Sequence, residues 1–324
     1  MNATLLAVLR LLSRDAFLSG EQIARQVGCS RATVHNLVRQ APDLGVEVHA
    51  VQGRGYRLAR PLNWLDPAGL ASGLAALGFS HRHLDQVGST NAWLLEAAQG
   101  GAPHRTVVTT DWQTHGRGRR GRTWQGGLGQ GLTFSLLWRS GRPLAELSGL
   151  SLAVGVMLAE ALQAMGLEQA RVKWPNDLVV GDAKLAGVLI ELSGDMLGPS
   201  AAVIGIGLNL RGGDALSKAL GQPVTDLGAY LGEGVDGNAV LLALMAALDR
   251  GLTRFEQAGF AAFHAAWDAC HAYRGRQVTL HPAQGAGITG EVLGVDEHGA
   301  LRLLTAEGER RFHSGEVSLR GALP

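Results

Sequence analysis

The chain has 324 residues, 46% of them hydrophobic and 18% charged, with a formal net charge of +1. That composition suits a soluble globular protein of two or three domains and excludes a disordered or membrane-spanning chain. Its longest apolar runs are broken by Arg, Glu or Gly before the roughly 18 residues a membrane-spanning helix requires, so no membrane partner is expected.

The first residues, "MNATLLAVLRLLSRDAF", lack a basic leading segment, and Arg10 interrupts their apolar part; they read as a helix and not as a signal peptide. Two cysteines, Cys29 and Cys270, are too few for a disulfide framework or a CxxC metal site, and the expected location is the cytoplasm. "TLLAVLRLLS" and "SGEQIARQVG" are helices by apolar spacing, and "SRATVHNLVRQ" is a third with Ser30 as its N-cap. "VEVHAVQGRGYRLARP" then alternates around "QGRG", which predicts a two-stranded ribbon. Three helices and a ribbon make a winged helix-turn-helix, expected over residues 1–62. Its first 60 residues carry eight arginines against four acids, Asp15, Glu21, Asp43 and Glu47. In a DNA-binding reading Ser30, Arg31, Thr33, His35 and Asn36 face the major groove and Arg54 on the wing meets phosphate. The competing reading is a dimerising or regulatory module, because the third helix is poor in cations and Pro42 cuts its end short.

A second domain is expected over 68–273. "TVVTT" and "LTFSLLW" are strands, the latter with Leu132, Phe134, Leu136 and Trp138 on one face. "LSGLSLAVGVMLAEALQAMG" is a long apolar helix. "ARVKW", "LVV", "LAGVLIELS" and "AAVIGIGLNL" form a meander whose short turns make the strands antiparallel, so the fold class is α+β with a mixed or antiparallel central sheet. Two helices follow, and from 274 to 324 short, closely spaced strands predict a small β-barrel.

The chemistry concentrates in this second domain. "HGRGRRGRTWQGG" sets Arg117, Arg119, Arg120 and Arg122 among glycines, and no Asp or Glu occurs between Trp112 and Leu144. A solvated turn, a nucleic-acid arm and an anion-binding loop all fit that composition. Its position between two sheet strands favours the last: glycines let N–H groups approach an anion, arginines neutralise it, and the loop orders around the ligand. Of 29 basic residues only Lys173, Lys184 and Lys218 are lysines, and two of them flank "KWPNDLVVGDAK". Pro175 holds Trp174 extended, which ends a strand and leaves "ND" at an exposed edge. "GSTN" (88–91) and "GIGLN" (205–209) add small polar side chains and glycine-lined strand ends.

Taken in order behind a winged helix, "GSTN", "QTHGRGRRGRTW", "LSLAVGVMLAEAL", "KWPNDLVVGDAKLAGVLIEL" and "GIGLNL" resemble the bifunctional biotin protein ligases over nearly the whole chain. The resemblance implies a class II synthetase-like central domain and an SH3-like C-terminal barrel. It implies that ATP and biotin, with Mg²⁺, give biotinyl-5′-AMP, whose biotinyl group passes to a lysine of the biotin carboxyl carrier protein of acetyl-CoA carboxylase. It further implies a ligand-promoted homodimer that binds operator DNA and represses biotin genes. By the same resemblance Ser89, Thr90, Asn91 and Gln113 hold the biotin head. Arg117, Gly118 and Arg119 wrap carboxylate and phosphate, and Lys184 contacts both. Arg122, Trp124, Asn176 and Asn209 serve the nucleotide together with Arg119. Asp177 either places Mg²⁺ or orients the attacking amine. The chain departs from the family twice: "LRGGDALSKALGQP" lacks the aromatic that closes over adenine, and Asn36 and Ala41–Pro42 replace basic residues of the recognition helix. Two alternatives draw on the same motifs: a biotin-sensing transcription factor without catalysis, and a lipoate ligase on the related fold.

Overall fold

The computed structural model describes residues 3–194, 196–282, 286–313 and 317–321, and its internal contacts divide the chain into two units. The first takes Met1–Trp64 together with Gly126–Gly131. Its helices are α1 (Ala3–Leu11), α2 (Gly20–Val27) and α3 (Arg31–Val38), followed by strands β1 (Val48–Val51) and β2 (Gly55–Leu58) in antiparallel register. Ser19 and Gln22 form a reciprocal capping box at α2, and Ser30 Oγ accepts the Thr33 N–H at α3, so both starts satisfy donors that a helix leaves unpaired. Gly55 is forced: at φ 105° a Cβ there would lie 2.1 Å from the Leu18 carbonyl oxygen. Segment 126–131, the tail of the arginine–glycine stretch, belongs to this unit through Leu128 N–H to Leu44 O (3.0 Å) and Asn63 N–H to Gly129 O (3.1 Å). Sequence pattern gives no hint of that docking, because the segment has one apolar residue among glycines.

The second unit takes Leu65–Gln125 and Leu132–Pro324. It opens with α4 (Pro67–Ala76), β3 (Ser80–Val87), α5 (Thr90–Gln99), β4 (Thr106–Gln113), β5 (Gly131–Ser140) and α6 (Leu150–Ala164). The meander follows as β6 (Arg171–Lys173), β7 (Asp177–Val180), β8 (Ala183–Gly194) and β9 (Ser200–Asn209), then α7 (Gly213–Leu220), α8 (Gly228–Leu231), α9 (Gly237–Ala258) and α10 (His264–Cys270). The seven strands run β3-β4-β5-β9-β8-β7-β6, with β3–β4 parallel across the α5 crossover and the meander pairs antiparallel. The sheet is therefore mixed. Leu132, Phe134, Leu136 and Trp138 of β5 enter the large core beside α6 and α9, while Leu137 enters a second core with Leu94 of α5. This alternation is what a strand covered on both faces requires. Segment 144–164 has the length and apolarity to cross a membrane, but α6 buries ten of its residues in the core of this unit.

The remaining strands are β10 (Gln277–Pro282), β11 (Ile288–Val295), β12 (Leu301–Thr305), β13 (Gly308–Phe312) and β14 (Val317–Gly321). They make one antiparallel sheet in the order β13-β12-β11-β10-β14. Val278, Leu280, Val292, Leu301 and Leu303 join the same core cluster as α6 and α9.

His271, at the end of α10, is buried and stacks on Trp267 with ring centroids 4.4 Å apart. Burial pushes its pKa down to about 4, with Asp268 opposing that shift. The unfolded chain therefore binds a proton near pH 6.5 that the folded chain refuses until about pH 4, and stability falls as pH drops through that window. The expected loss is about 3 kcal/mol by pH 4. Urea unfolding of wild type and His271→Gln from pH 7 to 4 checks this; parallel pH profiles for the two proteins would rule the assignment out.

Candidate active site

The C-terminal ends of β3 and β4 lead directly into the first polar group. Ser89 caps α5, and Gln113 Oε1 accepts from the Thr90 amide at 2.8 Å and from its hydroxyl at 3.2 Å. Asn91 Nδ2 donates to Leu189 O and to Glu191 Oε2 at 3.2 and 3.0 Å. Ser135 Oγ sits 2.7 Å from Thr90 Oγ1 and 2.6 Å from Asn91 Oδ1; its single proton serves one of them at a time. Ser89, Thr90 and Asn91 are buried, so the group is a fixed polar floor.

The arginine–glycine loop folds back on itself. Gly118 N–H donates to Arg122 O at 2.7 Å, Trp124 N–H to Gly116 O at 2.9 Å, and Arg120 takes φ 56° at the turn. Two arginines find polar partners across the site that the local sequence does not supply. Arg117 pairs with Glu191 at 2.6 Å, and Arg119 donates to Asn176 Oδ1 at 3.3 Å. Burial, then the neighbouring Arg120, lowers the Arg119 pKa, with Asp177 opposing. Its guanidinium keeps its charge at neutral pH, yet it is desolvated with too little opposite charge. An anion bound beside it corrects that deficit.

The third wall is the meander. Trp174 is buried and donates from Nε1 to Gly299 O at 3.1 Å. Asn176 and Asp177 are half-buried and do not lie at an exposed edge, because Asn176 Nδ2 reaches across to Val188 O at 2.7 Å. A bulge between Leu178 and Val179 shifts the β7–β8 register where Lys184 sits, and a bulge re-aims the side chains around it. Lys184 Nζ lies 2.7 Å from Asp177 Oδ1, an ion pair whose angles fall short of a hydrogen bond. The ammonium also faces the Trp124 ring, 5.6 Å from its centroid. Asn209 Nδ2 donates to Thr225 O at 3.0 Å and reaches Lys184 O at 3.4 Å, which ties the strand after Lys184 to the loop that follows β9.

These groups line one cavity of about 660 Å³. All twelve residues that the sequence reading assigned to biotin or nucleotide are in its lining, as are Asp177 and Leu216 and Leu220 of α7. Two aliphatic side chains thus stand in the segment that lacks an aromatic. Sequence reasoning missed them and also missed Ser135 and Glu191. For Glu191 a signal existed: it is an acid inside the otherwise apolar "LAGVLIEL".

Two glycines of "GIGLN" leave room for these side chains. A Cβ on Gly205 would lie 2.0 Å from Asn91 Oδ1, and one on Gly207 would lie 2.3 Å from Trp124 Cε2. Gly205→Ala is therefore expected to displace the Asn91 amide and raise the KM for the ligand's polar head about tenfold, the equivalent of one hydrogen bond of roughly 1–1.5 kcal/mol. Steady-state kinetics with the substrate that carries this head varied reads this, and an unchanged KM would show that Asn91 does not contact it.

In the first unit Arg31 and Asn36 are exposed on α3, and His35 Nδ1 lies 3.3 Å from Tyr56 OH on β2. Arg54 stacks over Phe17 at 4.4 Å and Arg57 over the same ring at 5.0 Å. Tyr56 and Arg57 were not anticipated from sequence.

Comparison with known proteins gives three family matches. Residues 84–209 match the biotin/lipoate A/B protein ligase family, residues 4–57 an HTH domain, and residues 274–320 the biotin protein ligase C terminal domain. The bifunctional ligase/repressor BirA of Escherichia coli (strain K12) is 35% identical over 322 residues, 99% of this chain and 98% of that protein. The biotin--[acetyl-CoA-carboxylase] ligase of Paracoccus denitrificans is 33% identical over 243 residues, 74% of this chain and 100% of its own. Among solved structures, the biotin protein ligase from Aquifex aeolicus in complex with biotin and ATP superposes with a TM-score of 0.64 at 31% identity. That match covers 75% of this chain and 99% of the other.

Proposed function

The chain belongs to the biotin protein ligase family, and from that premise we propose that it joins biotin to ATP, transfers the biotinyl group to a carrier protein, and carries an operator-binding module at its N-terminus. A biotin carboxylate oxygen attacks the α-phosphorus, the bond to pyrophosphate breaks, and biotinyl-5′-AMP remains. The amine of the acceptor lysine then attacks the biotinyl carbonyl, loses a proton and expels AMP. The first step brings two anions together, so it needs fixed positive charge that requires no rearrangement. Lys184 and Arg119, both lining the cavity, supply it. Ser89, Thr90, Asn91 and Gln113 hold the biotin head, and Arg117 and Gly118 wrap its carboxylate. Arg122, Trp124, Asn176 and Asn209 take the nucleotide, with Leu216 and Leu220 beside the base. The mixed anhydride hydrolyses if water reaches it, and the folded arginine–glycine hairpin is the element that keeps water out.

Asp177 is the one acid among the described residues lining the cavity, and Mg²⁺ commonly binds through one or two carboxylates with phosphate oxygens. We assign it that position; Mg²⁺ held there would offset charge on the phosphates. The observation that carries the whole reading is that one cavity collects Lys184, Arg119 and the GSTN floor, which also disfavours a sensor without catalysis. Incubation with ATP, biotin and the carrier domain of acetyl-CoA carboxylase should give carrier-bound biotin; lipoate transfer in its place would overturn the substrate assignment.

On the N-terminal unit Ser30 caps the reading helix, Arg31, Thr33, His35 and Asn36 contact bases, and Arg54 contacts phosphate. Repression of biotin genes follows if the adenylate promotes a homodimer, since a winged helix usually reads a two-fold site as a pair. Sedimentation with and without biotin and ATP, and gel shifts on the chain's own upstream DNA, test these two steps.

A further inference from the structure

Away from the cavity, β3 and β4 hold a second polar cluster. Their parallel register sets His83 beside Thr109, and residues two further on along each strand, Asp85 and Asp111, point to the same face. His83 Nε2 lies 3.5 Å from Asp85 Oδ1 and 3.5 Å from Asp111 Oδ2, and one ligand atom from each of the three residues falls within 4.8 Å of the others. The side chains of His83 and Asp111 are 7% and 0% exposed. Nε2 of His83 is buried without a hydrogen-bond partner, although it is aimed at two carboxylates.

We propose that His83, Asp85 and Asp111 bind a first-row divalent transition-metal ion, with Zn²⁺ the best fit. Zinc bonds of roughly 2.0–2.2 Å to nitrogen and oxygen set neighbouring donors of a tetrahedron about 3.3–3.6 Å apart, the spacing found here on both sides of Nε2. That spacing is too long for a hydrogen bond and right for two ligands of one ion. The second layer is also in place. His83 Nδ1 lies 3.0 Å from Thr109 Oγ1, the outer contact that orients a metal-binding imidazole and leaves Nε2 for the metal. Asp111 Oδ1 accepts the Leu65 N–H at 3.2 Å, which fixes the carboxylate with Oδ2 facing His83. One neutral imidazole and two carboxylates balance a divalent cation, and the 66% exposure of the Asp85 side chain leaves the fourth position to water. An imidazole with carboxylates favours zinc over Mg²⁺, which prefers oxygen ligands in a strict octahedron. Bound there, the ion cross-links β3 and β4 ahead of Ser89 and Gln113.

The test uses the full-length chain, freed of metal by a chelator and titrated with Zn²⁺ in excess Mg²⁺. Co²⁺ absorption serves as a second readout of coordination geometry. One equivalent of Zn²⁺ should bind at micromolar concentration and raise the melting temperature. Asp85→Asn should weaken it at least about tenfold and His83→Gln should abolish it, while both variants keep biotin transfer. Asp85 is exposed, so its variant folds even if the buried His83 variant does not. No Zn²⁺ bound below 100 μM (roughly a hundredfold above the expected range), or equal binding by wild type and Asp85→Asn, overturns the proposal.

Discussion

Lys184→Ala is expected to slow formation of biotinyl-5′-AMP by about 10²–10³-fold, the usual effect of removing one preorganised charge from a developing oxyanion. The ammonium reaches the cavity from the β8 bulge, and Asp177 at 2.7 Å fixes its position. Alanine removes the positive charge and leaves a half-buried carboxylate facing the phosphates, so repulsion adds to the lost attraction. Lys184→Gln keeps the stem and isolates the charge. Pyrophosphate release in a single turnover, with biotin and ATP saturating, measures the step directly. A rate within threefold of wild type for both variants would remove Lys184 from the mechanism. Stability should fall modestly as well, because the Lys184 and Asp177 side chains keep only 29% and 21% exposure and alanine leaves the carboxylate without its ion-pair partner.

Arg119→Gly should act on a different step. Arg119 lies on the hairpin with its guanidinium desolvated and, among the described residues, hydrogen-bonded to Asn176 at 3.3 Å, so its charge is best answered by the adenylate itself. A charge-assisted hydrogen bond is worth about 1.5–3 kcal/mol, and its loss should speed escape of biotinyl-5′-AMP by about 10- to 150-fold. Glycine also loosens the turn, which adds water access. The measurement is rapid filtration of preformed complex followed by assay of free adenylate. Arg117→Gly provides the contrast: Glu191 already answers that charge at 2.6 Å, so its removal should release adenylate less. Equal release by wild type and Arg119→Gly would assign retention to another group.

Much of the site was legible in the chain because its parts are local. "GSTN" is a helix N-cap, the arginine–glycine stretch is a turn that needs glycines, and "GDAK" is a hairpin; each depends on backbone preferences of a few neighbouring residues. The position of "ND" was misjudged as an exposed edge. Proline end effects are local, whereas the hydrogen bond from Asn176 to Val188 spans the β7–β8 pair. Glu191 and Ser135 escaped notice for the same reason: their partners, Arg117 and Asn91, lie 74 and 44 positions away in the chain.

By itself, the sequence determined the kinds of element, the mixed α+β class, and the set of residues fit to handle an anion, because periodicity, capping and turn chemistry act over fewer than ten residues. Only the tertiary structure decided how those residues combine. It set β3 parallel to β4, so that the GSTN cap and Gln113 meet at the C-terminal ends of those strands and His83 meets Asp111 on the edge pair. It put a bulge under Lys184 and gave Asn91 and Trp124 the space over Gly205 and Gly207. It also assigned 126–131 to the N-terminal unit. Such choices rest on contacts between distant segments, whose free energy comes from burial and from pairing of polar groups, and no window along the chain contains both partners.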